Sequence, residues 1–84
     1  MSDLIPAKLR WACRRGMLEL DILLGNFLEK SFLSLSPQEK AIFSQLLECS
    51  DPDLFDWLLN KKKVQNPLFS TMIEKVRHDA KTSH

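Results

Sequence analysis

The chain has 84 residues, of which 44% are hydrophobic and 27% are charged, and its formal net charge at pH 7 is +1. This composition excludes a disordered chain, and the near-neutral charge argues against the strongly basic surface of a nucleic-acid-binding domain. No apolar run reaches the ~18 residues of a membrane-spanning helix, and the first residues do not resemble a secretory signal, so we expect a cytoplasmic protein without membrane insertion. We expect one domain over residues 1–84, with an ordered helical core over about 4–80 and a polar tail over about 81–84.

The charges are unevenly distributed along the chain. Residues 1–16 carry a net charge of +3, residues 17–60 carry −6 and residues 61–84 carry +4. Patches of both signs are typical of surfaces that recognise other proteins.

The first two helices are predicted from apolar residues at helical spacing. The first begins near Pro6 and ends near Arg15. The second covers about Met17 to Lys30, and Gly25 weakens its middle, where a kink or an early end is expected to be tolerated.

Three further helices begin at capping sequences. Ser36-Pro37-Gln38-Glu39 predicts a helix with a serine cap and a capping box, and Asp51-Pro52-Asp53 predicts a short helix that Asp51 caps and that ends near Asn60. Asn66-Pro67 opens the last helix, after an exposed linker at Lys61–Lys63. Strand signals are missing, so the predicted fold is all-α, a compact bundle of five short helices. Each helix supplies an apolar stripe to the predicted core, and the fourth helix contributes Trp57.

The chain offers few groups for catalysis or metal binding. Cys13 and Cys49 lie in apolar helical segments and are predicted to be inert core thiols. A zinc site with His78 and His84 lacks the usual ligand spacing. We find no phosphate-binding loop or dinucleotide fingerprint, so the sequence predicts neither an enzyme nor a protein that holds a metal or cofactor of its own.

Residues 14–21, RRGMLELD, combine a local role with a candidate binding role. Arg14 and Arg15 suit the last turn of a helix, Gly16 suits the position just past its end, and Glu19 and Asp21 suit the first turn of the next helix. Arginine differs from lysine because its planar fork pairs bidentately with carboxylates. We therefore expect Arg15 and Glu19 to be left free for a partner, whose backbone can come close at Gly16.

Trp11 lies off the apolar stripe of the first helix. Tryptophan is enriched at protein interfaces, but half-buried packing is the favoured interpretation for this residue.

The segments WACRRGMLELD, residues 11–21, and LLECSDPDLFDWL, residues 46–58, resemble the flavinylation factors of succinate dehydrogenase, the SdhE type. The family hallmark, Arg-Gly-x-x-Glu, falls on Arg15, Gly16 and Glu19. The resemblance implies a five-helix assembly factor that binds the flavoprotein subunit of succinate dehydrogenase, and in bacteria that of fumarate reductase. It also implies that the factor promotes covalent attachment of FAD to a histidine of this client, so that FAD belongs to the client.

The resemblance places the three hallmark residues against the client near its flavin site. It gives Trp11, Arg14 and Asp21 flanking or supporting positions.

Two alternatives remain open at this point. The same surface suits a small adaptor or antitoxin-like protein with another partner. A helix-turn-helix nucleic-acid binder would instead use Arg10, Arg14 and Arg15. The sequence does not fix the oligomeric state, for which a monomer is the expectation.

Overall fold

The computed structural model describes residues 5–81, which form a helical bundle without strands. The predicted all-α fold with five helices is confirmed. None of the helices in this range is long and apolar enough to cross a membrane. The predicted polar tail, with His84, lies outside the described residues, apart from Lys81 at the helix end. The elements in chain order are α1 (Ala7–Ala12), α2 (Leu18–Ser31), a 3-10 helix (Phe32–Ser34), α3 (Pro37–Leu46), α4 (Asp51–Leu58) and α5 (Pro67–Lys81).

A single hydrophobic core lies between α2 and α5, with α3 and α4 packed against them. The rings of Phe27 and Phe32 pack on Phe43 at centroid distances of 5.3 and 5.9 Å. Full burial of each large apolar side chain contributes roughly 1.5–3 kcal/mol, so this core supplies most of the stabilisation. The predicted stripes supply the buried residues Ile5, Cys13, Leu20, Leu24, Phe27, Leu28, Phe43, Leu46, Leu47, Leu54, Leu58, Met72, Ile73 and Val76, and Phe32 joins them.

Trp57 is less buried than predicted. Its side chain is half-buried at the end of α4 and packs on Phe69 of α5, with ring centroids 6.3 Å apart. The prediction of a core tryptophan is therefore wrong, because this part of α4 lies at the edge of the bundle.

The two cysteines are free thiols, and they differ in burial. Cys13 is buried as predicted, and burial raises its pKa to about 11. Cys49 was also predicted to be a core thiol, but it is only half-buried. Partial burial nevertheless raises the pKa of its thiol.

The capping residues determine where α3, α4 and α5 begin. The predicted capping box of α3 is confirmed, because Glu39 N–H donates to Ser36 Oγ at 3.1 Å and Ser36 N–H donates to Glu39 Oε1 at 2.9 Å. Helix α4 is capped by Ser50 and not, as predicted, by Asp51. Ser50 Oγ accepts the N–H of Asp53 at 3.3 Å, which leaves the Asp51 carboxylate available elsewhere. At the start of α5, Asn66 Oδ1 accepts two backbone N–H groups.

The connection between α1 and α2 begins earlier than predicted. Helix α1 ends at Ala12 and not near Arg15. The physical reason is that the N–H of Arg15 donates to the Asp21 carboxylate at 3.0 Å and not to a carbonyl of α1. Helix α2 continues unbroken through Gly25.

Candidate partner-binding site

Residues 13–17, which we call the arginine–glycine loop, join α1 to α2 and contact the start of α4. Two carboxylates from different helices hold its backbone. Asp21 of α2 accepts the N–H of Arg15 at 3.0 Å, and Asp51 of α4 accepts the N–H of Gly16 at 3.3 Å. The loop therefore has a conformation that is set by contacts distant in sequence.

Arg15 points into the protein and bonds to its own chain. Its side chain is only 15% exposed, Nη2 donates to the carbonyl of Leu47, and Nε lies 3.5 Å from Asp51 Oδ1. The guanidinium thus lies between the carbonyl end of α3, which favours a cation, and a carboxylate in the first turn of α4. The expectation that this charge is left free is wrong. Its assignment to partner binding remains a prediction.

The Nε atom of Arg15 is buried and has no hydrogen bond to any part of the chain that the structure describes. Its contact with Asp51 is an ion pair without hydrogen-bond geometry. The guanidinium is therefore held by one hydrogen bond and one ion pair.

Gly16 is exposed, and the fold does not require a glycine there. Its φ is not positive, and a Cβ at this position would meet only Asp51 Oδ2, at an ordinary contact distance of 3.7 Å. The missing side chain therefore leaves an open backbone at the surface.

Glu19 is exposed in the first turn of α2, where the helix dipole favours an anion. Its carboxylate forms no hydrogen bond or ion pair with residues 5–81. Glu19 is therefore exposed and unpaired within the described residues, unlike Arg15, and its assignment to partner binding remains a prediction.

Trp11 and Arg14 project from α1 and the loop into solvent. Trp11 is 73% exposed and the Arg14 side chain is 72% exposed. The prediction of half-buried packing for Trp11 is wrong, because the helix presents it on the side away from the core. Arg14 Nε lies 4.0 Å from Asp21 Oδ1, so this pair is loose. Both side chains border an open groove of about 350 Å³ between α1 and α2, which Gly25 also lines.

One leucine and one isoleucine on the outer face of α2 are also exposed, and they are absent from the residues predicted from the sequence to bind a partner. Leu18 is 69% exposed and Ile22 is 51% exposed, one helical turn apart. Their spacing, on the face opposite the buried stripe of α2, was the signal that could have identified them.

We call the exposed set Trp11, Arg14, Gly16, Leu18, Glu19 and Ile22 the docking surface. It combines a large apolar area with one free anion and one cation, the composition of a protein-binding site. Among residues 5–81, no cluster of histidine, cysteine and acidic side chains could hold a metal ion.

The three arginines of the helix-turn-helix alternative do not form a basic patch. Arg15 is directed inward and Arg10 pairs with Glu29, so Arg14 alone of the three is mostly exposed.

Comparison with known proteins identifies clear relatives. Residues 7–80 match the family described as "Flavinator of succinate dehydrogenase" (Sdh5). The chain is 51% identical over 76 residues to a FAD assembly factor SdhE of Coxiella burnetii, which covers 90% of this chain and 93% of the relative. It is 49% identical over 70 residues to a FAD assembly factor SdhE of Vibrio vulnificus, covering 83% and 81% of the two chains.

A solved structure has the same fold. The solution structure of a UPF0350 protein superposes with a TM-score of 0.73 at 42% identity, covering 89% of this chain and 81% of that one. The names of the two SdhE relatives describe an assembly factor and not a catalyst, in agreement with the prediction that this chain is not an enzyme.

Proposed function

This chain belongs to the family of flavinators of succinate dehydrogenase, and from that premise we propose that it is a FAD assembly factor for this enzyme. It binds the flavoprotein subunit of succinate dehydrogenase and promotes covalent attachment of FAD to it. The resemblance on residues 11–21 and 46–58 extends the proposal to the flavoprotein subunit of fumarate reductase. FAD is the client's cofactor in this proposal and the chain holds none of its own.

The observation that carries the proposal is the unpartnered carboxylate of Glu19 beside the open backbone at Gly16. A charge that has no partner within residues 5–81 can bind a cation or an N–H group of another protein without breaking any contact of its own. Because Gly16 has no side chain, a client backbone can approach the loop closely, three residues before Glu19 in the chain.

Trp11, Leu18 and Ile22 supply the apolar part of the proposed interface. All three are exposed, and a large aromatic side chain such as Trp11 is the residue type that most often dominates binding energy when a partner covers it. Arg14, mostly exposed at the edge of the groove, adds a cation that can pair with a client carboxylate.

Arg15 and Asp21 have a positioning role in this proposal. Arg15 fastens the arginine–glycine loop to α3 and α4, and Asp21 fixes the loop backbone from α2. These contacts hold Gly16 and Glu19 in one arrangement before the client arrives, which lowers the entropy cost of binding. In the Arg-Gly-x-x-Glu hallmark, Arg15 then anchors the loop to the rest of the fold, and Glu19 contacts the client.

The mechanism that we propose is a shift in the client's conformational equilibrium. A binder favours one conformation of its client only by its differential affinity for the two states, and about 1.4 kcal/mol of preference changes their ratio tenfold. The factor therefore needs no catalytic group. It holds the flavoprotein in the conformation that carries out the attachment.

The test is co-expression of the flavoprotein with this chain, followed by measurement of covalently bound FAD on the flavoprotein. We expect more covalent FAD with the wild-type chain than without it. Gly16→Arg should abolish the gain and the co-purification of the flavoprotein, because the long side chain fills the place where the client backbone approaches. Circular dichroism should show that Gly16→Arg remains helical.

Two results would overturn the proposal. One is equal covalent FAD with and without the chain. The other is a pull-down from cell lysate in which the flavoprotein is missing and another protein is the main partner, which is the outcome that the adaptor alternative predicts.

A further inference from the structure

The connection between α4 and α5 presents a second charged surface, distant in sequence from the docking surface. Lys61, Lys62 and Lys63 are all exposed there. Lys62 Nζ lies 3.9 Å from Asp56 Oδ2, whereas the side chains of Lys61 and Lys63 have no ion pair or hydrogen bond with residues 5–81. The two lysines that flank Lys62 in sequence are thus without a bonded counter-charge among these residues.

Lys61 has a left-handed backbone conformation, which glycine or asparagine adopts more easily than lysine. Its φ is +57°, and no other non-glycine residue between positions 5 and 81 has a positive φ. Glycine or asparagine adopts this left-handed conformation at helix ends with little strain, whereas a lysine there is disfavoured. This conformation ends α4, where the N–H of the next residue, Lys62, donates to the carbonyl of Asp56 at 2.9 Å. The backbone therefore requires the left-handed conformation but not a lysine side chain at this position.

An apolar groove adjoins the lysines. It has a volume of about 390 Å³, and Trp57, Val64 and Phe69 line it together with Lys63. A second depression of about 330 Å³ shares Lys63 and Val64 with the first and includes Lys61. The three apolar side chains are half-buried, so they form the walls of a concave site with Lys63 at its rim. Lys61 lies in the adjoining depression, where Glu74 and Arg77 pair with each other.

We propose that this lysine–aromatic surface, formed by Lys61, Lys63, Trp57, Val64 and Phe69, binds an acidic segment of the flavoprotein client. The segment would place an apolar side chain in the groove and its carboxylates beside the two unpaired lysines. This inference rests on the proposed function for the identity of the partner. Charge complementarity and the concave apolar groove carry it.

The shape of the surface favours a protein segment over a lipid surface. Binding at a bilayer needs apolar side chains that project outward between the lipids, whereas Trp57 and Phe69 are half-buried and pack against each other. A groove of this kind accepts a side chain from a partner.

The position of this surface allows one client to contact it together with the docking surface. Asp51, the first residue of α4, bonds to Gly16, and Leu58, the last residue of α4, precedes Lys61 by three residues. At a rise of 1.5 Å per residue, the eight residues of α4 span about 12 Å. A typical interface covers roughly 800 Å² on each partner, which is wide enough to include both ends of such a helix.

The experiment compares the Kd of the purified flavoprotein for four forms of the chain. They are the wild type, the double variant Lys61→Gly/Lys63→Gln, the docking-surface variant Glu19→Gln, and Lys75→Gln. The last removes a lysine charge from another part of the surface, where Lys75 Nζ lies 3.5 Å from Glu39 Oε2. We expect the double variant to bind about three- to tenfold more weakly at low salt, with a smaller dependence of Kd on salt. Lys75→Gln should remain within about twofold of the wild type.

The unfolding midpoint of Lys61→Gly, compared with its affinity for the flavoprotein, shows whether Lys61 has a binding role or a structural role. Glycine relieves the left-handed backbone, so the unfolding midpoint should be unchanged or higher while the affinity falls. A variant that gains or keeps stability but loses affinity identifies Lys61 as a binding residue.

Three outcomes would overturn the inference. If the double variant binds like the wild type while Glu19→Gln binds more weakly, the lysine–aromatic surface does not contact the client, although the proposed function stands. If the flavoprotein fails to bind the wild-type chain, both proposals fall. If vesicles of phosphatidylglycerol bind the wild type but not the double variant, and the Kd for the flavoprotein is unchanged, the surface recognises lipid.

Discussion

Replacement of Arg15 by alanine should destabilise the fold, because this arginine bonds to its own chain. The substitution removes a hydrogen bond to the Leu47 carbonyl and an ion pair with Asp51. A hydrogen bond to a charged group contributes about 1.5–3 kcal/mol, and loss of one partner of a buried charge pair costs about 3–5 kcal/mol. Because the Arg15 and Asp51 side chains keep 15% and 29% exposure, we expect a loss of about 2–3 kcal/mol.

Urea unfolding followed by circular dichroism measures this loss. In thermal unfolding of a domain of this size, the same loss of about 2–3 kcal/mol corresponds to a decrease in Tm of roughly 10–20 °C. The matched control is Arg14→Ala, which removes the neighbouring arginine. The Arg14 side chain is 72% exposed and lies 4.0 Å from its acidic partner, so this variant should change the free energy of unfolding by less than about 0.5 kcal/mol.

A double-mutant cycle isolates the ion pair itself. Arg15→Ala and Asp51→Ala, measured singly and together, should show a coupling free energy of about 1 kcal/mol. If Arg15→Ala is as mild as Arg14→Ala, or if the coupling is zero, Arg15 does not anchor the loop and its assignment as a positioning residue fails.

Three further predictions concern Gly16, Gly25 and Cys13. Gly16→Ala should leave the free energy of unfolding within about 0.5 kcal/mol of the wild type, because its Cβ meets only one side-chain atom at 3.7 Å, and a large loss in urea unfolding would show that the fold needs glycine there. Gly25→Ala should raise the free energy of unfolding by about 0.5–1 kcal/mol, because the position is mid-helix and a Cβ meets nothing within 4 Å; a loss of stability would contradict this. Burial raises the pKa of Cys13 from 9.0 to about 11, so its protonated form favours the folded state, and this stability should be lost as the pH rises from about 9 through 11. Unfolding at a series of pH values should therefore show a steeper decline between pH 9 and 11 for the wild type than for Cys13→Ala, and equal slopes would contradict burial of the thiol.

Local sequence signals were sufficient to predict most of the fold. The capping box at Ser36 and Glu39 involves residues three apart, so its geometry is a property of the segment itself. The predicted apolar stripe of α2 likewise repeats at helical spacing. Leu20, Leu24, Phe27 and Leu28 are buried as predicted, and Met17, at the start of the stripe, is half-buried. Such features depend on few contacts beyond their own helix.

The errors occurred where contacts between distant residues determine the structure. Serine and aspartate are comparable helix caps, and local sequence could not choose between Ser50 and Asp51. The choice depends on the arginine–glycine loop, because Asp51 binds Arg15 and Gly16, which lie about 35 residues earlier in the chain. The same long-range contact directs Arg15 inward, although its local sequence is equally compatible with an exposed helix end.

The docking surface was predicted only in part for the same reason. Glu19 and Gly16 are exposed, as their local positions at the start of α2 suggest. The exposure of Trp11 depends on how α1 packs against α2, which no local pattern specifies. Leu18 and Ile22 appear on the outer face of α2 only after its buried face has been assigned.

The most direct test of the proposed interface is the Kd of the purified flavoprotein for Glu19→Gln. This substitution removes one charge and disturbs no contact within residues 5–81, so the free energy of unfolding should be unchanged within about 0.5 kcal/mol. The control is Glu48→Gln, which removes the charge of another exposed glutamate. We predict that Glu19→Gln binds the flavoprotein at least tenfold more weakly while Glu48→Gln binds like the wild type. Equal affinities for Glu19→Gln and the wild type would show that the free carboxylate is not the client contact.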